Sequence, residues 1–316
     1  MSILLHAIVA GGYLGLAAWA WRTALFAALE ADRIGAPAGA PGSGRLANGE
    51  RVAILALWIL HAWLIRDAAY SAGVLRFGFA LALSATMWLA VALFWFESFI
   101  FDLAAMRLAI LPLAAVCALL PLVFPGSAEL GRMAGADDVA GAPISPWLPA
   151  HLAVALAAYG FLTIAALHAL VMAALDRWLR GSGAPFLSGD DAAEITTERA
   201  ARRVRIERRL LGSLPPLLTM ERILFRLIGT GFVLLSLTVV TGFVFSEALF
   251  GRPPSLDHKT GFTLFAWLIF AMLLIGRIAR GWRGRVALTW TLTGFTMLFL
   301  AYAGSRFVLE VILHRV

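Results

Sequence analysis

This sequence predicts an all-α, polytopic integral membrane protein with about eight transmembrane helices and both termini outside. Three observations predict it. The composition is 61% hydrophobic and only 14% charged over 316 residues, with a mean hydropathy of +0.85, whereas a soluble domain carries about a quarter charged residues. Eight apolar stretches can serve as helical spans, each of which needs about 20 residues to cross hydrocarbon. Arginines collect in alternate connections, the pattern that orients a membrane chain.

In order, the spans are expected over 3–29, 52–66, 74–96, 103–124, 148–175, 222–247, 261–276 and 286–312. All should be helices, because hydrocarbon offers backbone groups no water and the Ala/Leu-rich runs lack the alternation of barrel strands. The first is read as a retained span and not a signal peptide, since its positive charges, Arg22 and Arg33, follow the apolar run instead of preceding it. The second and seventh are short, so their ends are the least defined. No internal repeat is visible. Cys117, the lone cysteine, falls mid-span, which excludes an internal disulfide, and no C-x-x-C-H is present to attach haem covalently.

The segment after the fifth span carries Arg177, Arg180, Arg199, Arg202, Arg203, Arg205, Arg208 and Arg209, and the seventh connection carries Arg277, Arg280, Arg283 and Arg285 without an acid. Both belong in the cytoplasm. The connections 125–147 and 248–260 are poor in arginine and belong outside. The chain then divides into an N-terminal four-span half, 1–146, and a second four-span half, 147–316, with a cytoplasmic Arg-rich segment at 177–221. Residues 34–48 read as a cytoplasmic loop. The charge order of 189–212, acids early and arginines late, predicts a helix on the inner membrane surface. The pI near 10.6 reflects this topology and attraction to anionic lipid, not nucleic-acid binding.

His6, His61, His151, His258 and His314 all thread to the outer side. Imidazole is the commonest iron ligand, and ionisable groups near a bilayer are costly, so the cluster points to a metal or haem site. His61, in Trp58-Ile59-Leu60-His61-Ala62-Trp63, and His151, opening the fifth span, lie at matching depth and are the candidate axial ligands. His151, Ala155 and Tyr159 share a helix face. His168 falls about 25 Å further along, near the cytoplasm, and with His6 is read as structural. The eleven tryptophans are read mostly as interfacial belt residues.

On the last span Arg306, Glu310 and His314 step by four along one face. Arg306 lies deep enough to need an anion, either Glu310 or a ligand carboxylate such as a haem propionate. In the sixth connection, Asp257, His258 and Lys259 stand together, Lys259 being the only lysine against twenty-five arginines. Asp257 also fits an N-cap for the seventh span.

The stretch from Thr219 to Arg285, ending GWRGR, resembles the core of the cytochrome c assembly membrane protein family, which includes CcsA-type and HemX-type proteins. His151 followed by Tyr159, and the terminal AYAGSRFVLEVILH, resemble its histidine-led helix and its last span. The likeness covers roughly 147–314. It implies that haem is handled at the outer face, with His151 in the first external-histidine position and His314 in the second. Where synthetase members carry a Trp-rich W-D-P-K-E loop, this chain has Leu256-Asp257-His258-Lys259-Thr260, and an aliphatic residue near Ile275 replaces an intramembrane histidine. Those departures place it in the HemX-like branch lacking the Trp-rich loop.

The reading is a haem-binding or haem-handling protein of the bacterial inner membrane. His61, His151, His258 and His314 are its candidate ligands, and Arg306, Asp257, Lys259 and Tyr159 surround the group. Its expected partners are lipid and a haem-delivery or cytochrome assembly partner; oligomeric state is left open. No nucleophile, no acid-base pair in a cleft and no phosphate loop is visible, so it is read as not an enzyme. The alternatives are a haem-free scaffold or regulatory subunit, docking a partner through 177–221, and a small-ligand transporter.

Overall fold

The computed structural model describes residues 2–34, 46–71, 74–75, 78–101, 103, 106–124, 147–183, 217–244 and 258–304. Asp257, Arg306, Glu310, His314 and the helix expected over 189–212 lie outside the described residues. Eight α-helices fall within them: α1 (Ser2–Arg33), α2 (Asn48–Ala69), α3 (Phe79–Ile100), α4 (Arg107–Val123), α5 (Trp147–Gly183), α6 (Leu217–Val244), α7 (His258–Arg280) and α8 (Gly284–Phe299). A π-helical turn, Leu300–Gly304, extends α8.

Two spans start later than the sequence suggests. Tyr70–Ser71 (β1) and Val74–Leu75 (β2) form a small antiparallel pair, Tyr70 opposite Leu75, so the third helix begins after the extended Gly78 at Phe79 and not at 74. Extended backbone at Phe101, whose N–H still bonds to Glu97 O, closes α3. Beyond it, Leu103 N–H bonds to Phe101 O and Met106 N–H to Leu103 O, each at 2.9 Å. That delays α4 to Arg107. At 17 residues α4 spans about 25 Å, the short limit for crossing hydrocarbon. Six helices, α1, α2, α3, α5, α6 and α7, are long and apolar enough to cross a membrane by length and composition.

The packing follows two rings. α1 and α3 each pack on both α2 and α4, and α5 and α7 each pack on both α6 and α8; α3 lies against α5 and joins the two. Close approach at that joint needs a glycine, because a Cβ on Gly160 of α5 would sit 2.5 Å from Leu89 Cδ2 of α3. Ile3, Val52, Phe96, Val233, Phe265 and Ile278 face outward, each more than 60% exposed. Water would make such a surface a liability, and lipid is its natural solvent.

Charged groups gather at one end. Glu50 pairs with Arg107 across α2 and α4 with little exposure of either side chain. Arg51 donates to Ser98 O at 2.8 Å and lies over the Phe99 ring. Arg277 donates to Glu221 at 2.6 Å, and Arg285 lies 3.9 Å from Asp176. The acids missing from the seventh connection are therefore supplied by α5 and α6. The turn between α7 and α8 is made by Gly281 (φ 64°) and Gly284 (φ 55°), both left-handed, as L side chains rarely are. Trp282 folds back over Gly276, where a Cβ would meet its ring at 2.4 Å, and stacks obliquely on Trp290. The GWRGR string is thus an interhelical clamp.

Candidate functional site

At the opposite end, α5 starts at Trp147, and its early Pro149 falls in the first turn, where no intrahelical N–H bond is lost. His151, half-buried one turn in, has its Nδ1 2.8 Å from Thr241 Oγ1 on α6. The Thr241 hydroxyl reaches Leu237 O, also at 2.8 Å. A hydroxyl has one hydrogen; with it assigned to Leu237 O, Thr241 accepts from His151 Nδ1–H. In the neutral ring the lone pair then belongs to Nε2. Gly242 keeps its backbone close to the imidazole; a Cβ there would stand 3.5 Å from His151 Cε1.

Lys259, in the first turn of α7, acts electrostatically on His151 and has its Nζ 5.6 Å from the Tyr302 ring centroid. Tyr302 in turn meets Tyr159 edge-on at 6.4 Å, while Tyr159 donates to Leu298 O at 3.4 Å. Four segments, α5, α6, α7 and the π-turn, therefore bring His151, Tyr159, Thr241, Lys259 and Tyr302 together. His258 is exposed beside Lys259. The result is an oriented imidazole and a cation at the end of a helical ring.

His61 is set differently. It is fully buried, with Nε2 2.9 Å from Ser84 Oγ on α3 and Nδ1 3.5 Å from Tyr13 OH on α1. The Tyr13 ring meets it edge-on, and His6 of α1, also buried, acts on it electrostatically. Two contacts give its depth relative to His151. Leu89 meets Gly160 and Glu97 meets His168, the same sequence offset each time, so α3 and α5 run parallel and Ser84 stands level with Ala155. His61 therefore lies on the His151 side, about one turn, or ~6 Å, deeper. The two histidines share that side but are held by different helices: one is tied into α1 and α3, the other into α6 and α7. Just beyond His61, Trp58 and Trp88 stack at 4.7 Å, and each indole N–H donates to the other's backbone carbonyl. These two tryptophans form the α2–α3 seam, unlike exposed Trp63 and Trp147.

His168 is fully buried, with Nδ1 2.9 Å from Ile164 O and Nε2 3.8 Å from Glu97 Oε2. Glu97 lines a cleft with Arg226 and Thr230. An acid-base pair beside a cleft is thus present, although the sequence shows none. Glu97 reads there as the charged end of a span, and its partner lies on a helix far along the chain. Among the described residues no three His, Cys, Asp or Glu side chains converge to hold a metal.

The family described as Cytochrome C assembly protein matches residues 47–313. The inner membrane protein YpjD of Escherichia coli (strain K12) is 32% identical over 168 residues, 53% of this chain and 54% of its own length. The cytochrome c biogenesis protein CcsA of Microcystis aeruginosa is 29% identical over 199 residues, 55% of this chain and 60% of its own. That of Gloeobacter violaceus is 36% identical over 92 residues, 29% of this chain and 27% of its own. The chain thus spans about half the length of YpjD. No solved structure matches. The apolar helices and these relatives mark a multi-pass protein of the bacterial inner membrane. With the family match running from the start of α2 through the last described turn, the chain belongs to the cytochrome c assembly protein family.

Proposed function

We propose that this protein holds haem at the membrane face where His151 lies, and presents it there without transforming it. The observation that carries this reading is the 2.8 Å contact of His151 Nδ1 with Thr241 Oγ1, which holds the ring in place; with the Thr241 hydrogen assigned to Leu237 O, the neutral ring keeps its lone pair on Nε2, ready for iron. The donor set fits the group. His151 would supply a nitrogen to the iron, Lys259 a cation suited to a propionate, and Tyr159 and Tyr302 an aromatic flank. Haem would supply an iron that accepts imidazole and two carboxylates that seek cations. His258, exposed next to Lys259, is the second ligand nearest that cation in sequence; by resemblance Asp257, Arg306 and His314 join this face. His61 becomes a ligand only by giving up Ser84 at Nε2 or Tyr13 at Nδ1.

Positive-inside asymmetry puts the arginine-rich end in the cytoplasm, so the His151 face and both termini lie outside. On this reading 1–146 is a supporting half and 147–316 the haem-handling half. The test is an absorption spectrum of the full chain purified in detergent from haem-replete cells. A Soret band should appear, vanish in His151→Gly and return with added imidazole; a colourless protein that takes up no added hemin overturns the reading.

A further inference from the structure

Three buried atoms on α3 and α5 define a second site, at the arginine-rich end. His168 is 0% exposed, and its Nδ1 sits 2.9 Å from Ile164 O. A carbonyl can only accept, so Nδ1 carries the hydrogen, and the neutral ring turns the lone pair of Nε2 toward Glu97. Glu97 Oε2 lies 3.8 Å away, and neither atom has a hydrogen-bond partner. Two acceptors thus face each other in a membrane interior, where each unpaired polar atom is costly. At 3.8 Å they are too far apart for a direct bond, and a hydrogen is missing between them.

A cleft opens beside Glu97. It measures ≈ 100 Å³ and is lined by Glu97, Phe101, Phe161, Arg226, Leu227 and Thr230 among others, enough for several waters at about 10–15 Å³ each. Arg226 and Thr230 are its exposed members. Arg226 lies nine residues inside the start of α6, about 13 Å along the axis, within reach of the headgroup layer for a long side chain.

We propose that Glu97 and His168 form a proton-binding site that holds one exchangeable proton, linked through cleft water to the arginine-rich face. In one state the Glu97 carboxyl is protonated and, once a side-chain rotation closes the 3.8 Å gap, donates to Nε2; in the other the proton has crossed, leaving a carboxylate and an imidazolium. No other bond changes, and the pair stays neutral overall. The charged groups facing it are Glu97 from α3, His168 from α5 and Arg226 from α6; Asp176, further along α5, is occupied by Arg285. A protein that holds a proton in this way can couple a movement of α3 against α5 to proton uptake.

The test is infrared difference spectroscopy of the full chain in lipid nanodiscs, stepped in pH and repeated in D₂O. We expect a carboxylic C=O band that is lost in Glu97→Gln, displaced in His168→Gln and rapidly shifted by deuterium. Thr230→Phe changes only the exposed rim, leaves the fold intact and should slow that shift. A spectrum with no band dependent on Glu97, a band indifferent to His168, or deuterium exchange as slow as the core amides and unaltered by Thr230→Phe would each overturn the proposal.

Discussion

Arg277 on α7 donates to Glu221 on α6 at 2.6 Å, and the same carboxylate oxygen lies 3.8 Å from Arg283 Nε in the turn that follows. Arg277 also donates to Trp282 O at 3.2 Å and lies over the Phe225 ring. One acid on α6 thus fastens the end of α7 and the turn after it. Glu221→Gln should cost about 2–3 kcal/mol, because it leaves a half-buried guanidinium without its anion. Thermal unfolding in detergent reads this, and adding Arg277→Gln should recover much of the loss. A double variant as unstable as the two singles added together would mean that the two side chains act separately.

Gly276 and Gly229 make an internal contrast. A Cβ at Gly276 meets three ring atoms of Trp282 between 2.4 and 2.8 Å, whereas one at Gly229 meets nothing within 4 Å. Gly276→Ala should destabilise by about 1–3 kcal/mol through overpacking. Gly229→Ala should stabilise α6 by up to about 1 kcal/mol, as alanine does in a helix interior. Equal melting temperatures for the two variants would mean that Trp282 does not pack on Gly276.

The helices were legible because long apolar runs have few alternatives in a membrane. Their ends were less so: Val74–Leu75 is as apolar as the span it precedes, and only its pairing with Tyr70–Ser71 takes it out of α3. At the site, His151 stood out as an ionisable group opening a helix. Thr241, which orients it, did not, since a threonine in an apolar helix usually bonds its own backbone and this one lies 90 residues away. GWRGR was visible as a motif, but its acid, Glu221, is distant in sequence. His168 was read as structural and Glu97 was not singled out; their meaning comes from the parallel packing of α3 on α5.

Orientation can be tested from either end of α7. In a Cys117→Ser background, His258→Cys and Arg283→Cys place single thiols at exposed positions on opposite faces. A membrane-impermeant maleimide added to spheroplasts with the inner membrane intact should label 258 and spare 283, with 283 labelled only after lysis. The reverse pattern would put the arginine-rich end outside and refute the assigned topology.

Ser84→Ala separates two roles for His61. If His61 is a packing residue, losing the 2.9 Å bond to Ser84 should destabilise the protein by about 0.5–2 kcal/mol, the range for interhelical hydrogen bonds in membranes. Haem content should not change. If His61 ligates iron, releasing its Nε2 should raise haem occupancy, and that outcome would move the site toward α2.

Thr241→Val keeps the shape of the residue beside His151 while removing the hydroxyl that accepts Nδ1–H. Valine is also well tolerated on α6, and the lost bond to Leu237 O is internal to the helix, so the fold should persist. The imidazole, however, is no longer held in one tautomer or one orientation, and such partners of a ligating histidine are worth about 10–100-fold in affinity. Hemin titration followed at the Soret band should show a loss of that size in Thr241→Val and a larger one in His151→Gly, with imidazole restoring only the glycine variant. Unchanged affinity in Thr241→Val, alongside an intact response to His151→Gly, would mean that something other than Thr241 orients the ring.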